Sequence, residues 1–183
     1  MNSPRLVKVS KYLSKHLRHQ PDHLGLKLTP GGWVSVDKLL KASAKHKLKI
    51  SRIELQEVVE NNDKKRFSFD STGKLIRANQ GHTVEVDLQL EAIVPPHILY
   101  HGTNHHVIDS IIAQGLSKMS RHHVHLSKDI ATAKKVGKRR GRPVIFRIDA
   151  ANMYQDGYQF YCSDNGVWLV DHVPADYLYM EKN

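Results

Sequence analysis

Two adjacent prolines, Pro95 and Pro96, divide this chain into halves with different patterns. Proline fixes φ and lacks an amide hydrogen, so no helix or sheet ladder runs through such a pair. Ahead of them, Leu6, Val9, Leu13 and Leu17 recur at spacings of three and four, while Lys8, Lys11, Lys15 and Arg18 keep the same rhythm on the other side. That periodicity predicts an amphipathic helix with one buried and one basic face, ended by Pro21. "TPGGW", from Thr29 to Trp33, predicts a turn. Ser35 is placed to cap a second helix carrying Val36, Leu39 and Leu40, and "SRIE" from Ser51 fits a capping box opening a third with Ile53, Leu55, Val58 and Val59.

The runs "RFSFD" and "LIRANQ" around the turn "STGK" read as a β-hairpin. Three short helices and a hairpin suggest a winged-helix arrangement. From Thr83, Val84, Val86, Leu88 and Leu90 alternate with Glu85, Asp87, Gln89 and Glu91 up to the prolines. A boundary is therefore expected near residue 94, giving lobes of residues 1–94 and 95–183. The second half mixes strand-like runs, "ILYHGT", "VHLS", "PVIFRID" and "GVWLVD", with helical patterns around Val107–Gln114 and Ile130–Val136. An α+β domain accounts for that mixture.

With 40% hydrophobic residues, 183 residues suffice to bury a core in one domain or two. The opening "MNSPRLVKVS" has no apolar signal core, and no stretch approaches the roughly 18 apolar residues of a membrane span. Neither secretion nor a membrane partner is expected. A single cysteine, Cys162, forms no internal disulfide, which points to a reducing, cytoplasmic setting. Lys and Arg number 28 against 18 Asp and Glu, a formal charge of +10 that attracts polyanions such as nucleic acid. The Gly-punctuated "GKRRGR", residues 137–142, is a solvated basic loop or a phosphate contact.

Four stretches concentrate cations and amides at element ends: "LRHQP" with Arg18 and His19, "KKRFSF" with Arg66, "RANQGHT" from Arg77 to Thr83, and "MSRHHVHLS" from Met119 to Ser127. Converging guanidinium forks grip a phosphate through paired hydrogen bonds and stabilise added charge in a transition state. Taken singly, each stretch has a plainer reading. Arg18 and His19 suit a helix C-terminus through its dipole. Arg66 suits a solvated strand edge, and Asn79, Gln80 and Gly81 suit a hairpin end. The thirteen histidines include His105, His106, His122 and His123, yet no zincin motif or cysteine pair accompanies them, so no metal site is expected.

As an ordered set, "LSKHLRHQP", "KKRFSF", "RANQGHT", "LYHGT", "MSRHHVHLS" and "GVWLVD" resemble the RNA 2′-phosphotransferase family, which removes a splice-junction 2′-phosphate from RNA with NAD⁺. The resemblance spans nearly the whole chain. It implies an N-terminal winged-helix-like lobe and a C-terminal ADP-ribosyltransferase-like lobe, with the active site in the cleft between them. It places the family's catalytic set on Arg18, His19, Arg66 and Arg121. It places NAD binding on His101, Gly102, Thr103, His125 and Ser127, with Gly102 backbone groups on the nicotinamide amide and His101 and Ser127 on its ribose. Arg77, Asn79, Gln80 and His82, with the basic face of Lys8, Lys11 and Lys15, would track the RNA backbone.

Many ADP-ribosyltransferases carry a late glutamate where this chain has Val167. That departure fits a phosphate acceptor, which is already largely dianionic at neutral pH and needs no general base. The implied reaction has two transfers. A 2′-phosphate oxygen attacks C1″ of NAD⁺ and expels nicotinamide. The ribose 2″-hydroxyl then attacks phosphorus, giving RNA with a free 2′-hydroxyl and ADP-ribose 1″,2″-cyclic phosphate. The resemblance thus implies NAD as co-substrate and 2′-phosphorylated RNA as partner; a monomer without a metal is expected. Two other readings compete. A non-catalytic nucleic-acid binder leaves "YHGT" and "HVHLS" unexplained, and an ADP-ribosyltransferase would stop after the first transfer.

Overall fold

The computed structural model describes residues 3–182. They form an α+β protein of two compact units that divide at Gln89 and Leu90. This lies ahead of residue 94, because the segment entering the double proline is already tied to the second unit: the Ile93 N–H donates to the Phe160 carbonyl at 2.9 Å.

In the first unit, α1 (Pro4–Arg18) begins at Ser3, whose hydroxyl accepts from the Leu6 N–H, with Pro4 in the first turn where no amide hydrogen is needed. Its buried face is Val9, Leu13, His16 and Leu17. Strand β1 (Trp33–Ser35) leads into α2 (Val36–Lys45), capped by Ser35, and α3 (Arg52–Glu60) opens on the reciprocal Ser51–Glu54 box. The hairpin β2 (Phe67–Phe69) and β3 (Leu75–Ala78) joins β1 in an antiparallel sheet of order β1-β3-β2. Leu13, Leu17, Leu39, Leu55, Phe67 and Ile76 form the core between helices and sheet. The "TPGGW" turn therefore ends in a third strand, whose three residues are too few to show a period of two.

The alternating segment after Thr83 forms no strand. Its alternation is nonetheless real in burial, with Leu88 tucked in and Glu85, Asp87 and Gln89 exposed. The backbone is used otherwise: the Thr83 N–H donates to the Arg18 carbonyl, Asp87 accepts from Gly31, and Gln89 turns away at φ 54°.

In the second unit, β4 (Ile98–Asn104) precedes α4 (Ile108–Gln114), β5 (Leu116–Ser117) and β6 (Val124–Leu126). Then come α5 (Ile130–Gly137), β7 (Pro143–Asp149), α6 (Ala150–Gln155), β8 (Phe160–Cys162), β9 (Trp168–Val170), β10 (His172–Val173) and β11 (Leu178–Met180). Two three-stranded antiparallel sheets, β11-β7-β4 and β6-β9-β8, and the pair β10-β5 surround a core of Leu99, Leu126, Phe146, Ile148, Met153 and Phe160. The two larger sheets touch through one antiparallel bridge, Tyr100 to Ser127.

Helix α5 lies directly on the backbone of β4. A Cβ at Gly102 would run into the Ala133 carbonyl, and one at Gly137 would meet the Thr103 oxygen at 2.8 Å. Both glycines are thus required by helix–strand packing. Among the described residues no helix is long and apolar enough to cross a membrane.

Candidate active site

The first unit gathers one group of polar residues around the end of α1. His19 is its C-cap, and the ring Nδ1 lies 3.0 Å from the Thr83 hydroxyl. The half-buried Arg18 donates through Nη2 to the Gln80 side-chain oxygen at 3.2 Å, with its guanidinium 6.0 Å from the centre of the Phe67 ring. Its own carbonyl accepts from Thr83 and Val84.

Arg66 directly precedes β2. Asn79, at the end of β3, anchors the segment that carries it: its N–H donates to the Arg66 carbonyl at 2.9 Å and its amide nitrogen to the Lys65 carbonyl at 2.7 Å. Lys65 holds φ at 40°, so this short segment turns sharply into the strand. Of the four residues expected to follow an RNA backbone, Gln80 is bonded to Arg18 and Asn79 supports Arg66. Arg77 lies over the Trp33 ring, 4.4 Å from its centre, and His82 is 1% exposed with its ring beside Gly32.

The second unit gathers the other group where its sheets part. Tyr100 and Ser127 exchange N–H···O bonds of 2.8 and 2.7 Å. In an antiparallel strand, residues two apart direct their main-chain groups to the same edge. Gly102 therefore turns its N–H and C=O toward the side that Tyr100 offers to Ser127, and among the described residues no strand pairs with β4 there beyond the bridge.

His101 lies on the opposite face of β4 from Gly102. Its Nδ1 is 3.0 Å from the His125 carbonyl. A carbonyl only accepts, so Nδ1 carries the proton and Nε2 of the neutral ring is left as an acceptor. Burial lowers the His101 pKa, and the bond to His125 only partly offsets it, which favours that neutral ring. On the other side of His125, Arg121 Nη1 is 3.1 Å from the ring Nδ1. A guanidinium only donates, so Nδ1 of His125 accepts and its tautomer is the reverse of His101's.

The loop bearing Arg121 is tied at both ends. It links β5, paired with β10, to β6, paired with β9. Within it the Arg121 N–H donates to the Lys118 carbonyl at 3.0 Å, and the Lys118 ammonium reaches Asp171 at 2.6 Å, holding that carboxyl below its ordinary pKa. Thr103 continues β4 and accompanies Gly102 against α5. Val167 sits one residue ahead of β9, its N–H on the Ser163 hydroxyl. Among the described residues no cluster of three or more His, Cys, Asp or Glu is arranged to hold a metal ion.

Residues 4–172 match the family described as RNA 2′-phosphotransferase, Tpt1 / KptA family. The chain belongs to the RNA 2′-phosphotransferase family. It is 69% identical to a protein named probable RNA 2′-phosphotransferase of Nostoc punctiforme, over 97% of this chain and 98% of that one. Similar proteins of the same name occur in Herpetosiphon aurantiacus, at 56% identity over the full length of both, and in Streptomyces coelicolor, at 54% over 97% of each.

Within this member of the family the structure adds roles that sequence reasoning did not assign. Thr83 fixes His19, Lys118 and Asp171 hold the Arg121 loop, and Tyr100 makes the bridge that opens the Gly102 edge. Tyr100, Thr83 and Asp171 lie in the motifs "LYHGT", "RANQGHT" and "GVWLVD", whereas Lys118 lies just outside "MSRHHVHLS".

Proposed function

We propose that this member of the family removes a 2′-phosphate from RNA in an NAD⁺-dependent, metal-independent reaction, with a winged-helix-like first lobe and an ADP-ribosyltransferase-like second lobe. The observation that carries the NAD⁺ reading is the open edge at Gly102 beside the fixed His101 ring. A carboxamide needs one donor and one acceptor together, and a strand edge beyond its last bridge offers both. The residues present therefore fit a nicotinamide. The lone pair on His101 Nε2 accepts from a ribose hydroxyl, and Ser127, next to the bridge, supplies a second polar group.

NAD⁺, consumed as co-substrate, supplies an electrophilic ribose carbon, a neutral leaving group and a neighbouring hydroxyl. In the first transfer the protein chiefly orients, because the attacking phosphate is already an anion. In the second, negative charge builds on phosphorus, and Arg18, Arg66 and Arg121 neutralise it. His19 moves the proton that the 2″-hydroxyl gives up and the departing RNA oxygen takes. Gln80, Thr83, Asn79 and Lys118 keep those groups in place.

The test is incubation with NAD⁺ and a short RNA bearing one internal 2′-phosphate. Nicotinamide and ADP-ribose 1″,2″-cyclic phosphate are expected, unchanged by chelator. Dephosphorylation without NAD⁺, or its loss with chelator, overturns the reading. An RNA that keeps ADP-ribose with no cyclic product would assign the protein to ADP-ribosyl transfer alone.

A further inference from the structure

A cavity of about 350 Å³ in the first unit lies apart from the Arg18 group, lined by Lys27, Trp33, Ser35, Lys38 and Leu75 among others. Such a volume falls in the lower part of the range for pockets that take small organic groups, about 300–1,000 Å³.

The pocket sits on one face of the sheet. Trp33 pairs in register with Arg77 and Ser35 with Leu75, whereas Val34 and Ile76 point the other way, into the core. The Arg77 guanidinium covers the Trp33 ring and donates to the Gly31 carbonyl at 3.2 Å, which keeps the indole in one orientation. Lys27 and Lys38 approach from the loop before β1 and from the first turn of α2. An oriented aromatic surface with two lysines at its rim suits a flat π system joined to an anion.

Resting on the RNA 2′-phosphotransferase reading above, we infer that this pocket holds a nucleotide of the RNA strand flanking the 2′-phosphorylated one. Its base lies against Trp33 and its phosphate between Lys27 and Lys38. The strand geometry supports that assignment. Arg77 precedes Gln80, the partner of Arg18, by three residues, at most about 10 Å of extended chain. One continuous strand of RNA covers that distance. Recognition here is of backbone and π-face, so it is tolerant of sequence.

The experiment measures binding of a fluorescent single-stranded RNA octamer without 2′-phosphate to the full-length protein, by anisotropy across a salt series and without NAD⁺. Lys27→Ala with Lys38→Ala should flatten the slope of log affinity against log salt by about 0.7, the share of the one phosphate that the pair neutralises. Lys41→Ala with Lys45→Ala, exposed lysines elsewhere on α2, should change it far less. Trp33→Ala should weaken binding about tenfold, as loss of one base–aromatic stack does.

Equal slopes for the two lysine pairs, or no measurable binding by the unaltered protein, overturn the inference. Removal of a 2′-phosphate from RNA by the unaltered protein is assayed in parallel. If that activity is present while the Lys27 and Lys38 variant binds normally, the pocket assignment fails alone. If the activity is absent, the reading beneath it fails too.

Discussion

Arg121 and His125 are joined at 3.1 Å, guanidinium to ring nitrogen, four residues apart across the start of β6. The guanidinium has no acceptor, so this contact dictates which ring nitrogen of His125 is bare. Arg121→Lys keeps the charge but loses both the fork and the fixed geometry. Its kcat in 2′-phosphate removal is expected to fall about a hundredfold, on the scale of losing one positioned transition-state donor. Lys118→Ala should fall only a few-fold, because its ion pair with Asp171 is exposed, 46% and 76%, and such pairs contribute about 0–1 kcal/mol. Similar losses for both would mean that Arg121 acts only as a surface cation.

Gly102→Ala tests packing against chemistry. The new methyl meets the Ala133 carbonyl of α5, which moves only with the helix. The cost in urea unfolding should reach or exceed the upper end of the usual overpacking penalty, about 1–3 kcal/mol, with or without NAD⁺. A variant of normal stability with weakened NAD⁺ binding would show that the strand and helix separate easily.

Asn79→Ala removes the donor to the Lys65 carbonyl. The expected loss is about 1–3 kcal/mol for a carbonyl left without its partner. Activity should drop further than stability alone accounts for, since Arg66 is the next residue. Unchanged kcat in the folded variant would separate Arg66 from the reaction.

Arg18→Ala and His19→Ala should slow the second transfer more than the first, with acid–base help worth roughly 10²–10⁴ in rate. In a single-turnover time course with labelled 2′-phosphate, RNA carrying ADP-ribose on that phosphate should build up before product. If neither transfer slows, the pair serves only to end α1.

Acid should weaken the fold through histidines that packing shields from water, the buried His16 and the half-buried His101 and His123. Burial lowers the pKa of His16, His101 and His123 in the folded chain. The unfolded chain then binds more protons once pH falls through about 6.5, so stability is complete above that pH and declines below it. The melting temperature at pH 5.5 should lie below that at pH 7.5, and His101→Asn should narrow the gap. A gap that stays the same would remove His101 from the acid response.

What the sequence made legible was local. The Ser51–Glu54 box, the Ser35 cap and the β2–β3 hairpin each lie within a few residues, and periodicity exposes them. Two of the groups that pin the candidate site are not of this kind. His19 meets Thr83 across 64 positions and Lys118 meets Asp171 across 53, and no spacing rule announces either. The alternation after Thr83 was legible as burial but not as pairing, because period-two patterning reports which side chains turn inward and is silent about where the amides go. Gly102 was legible as a motif glycine, while the reason it must be glycine lies in the backbone of α5, thirty residues on.

The closure of α1 by Thr83 and Val84 also sets an order of assembly. A nascent chain that has reached Ala78 already contains all three helices and all three strands of the first unit. Yet the carbonyl of Arg18 and the ring of His19 still wait for amides and a hydroxyl that emerge from the ribosome later. Long-range closures of this kind are the slow part of folding. The elements of the first unit are thus all present before the end of α1 is closed, and a polypeptide cut between residues 78 and 83 would lack the partners of the Arg18 carbonyl and the His19 ring.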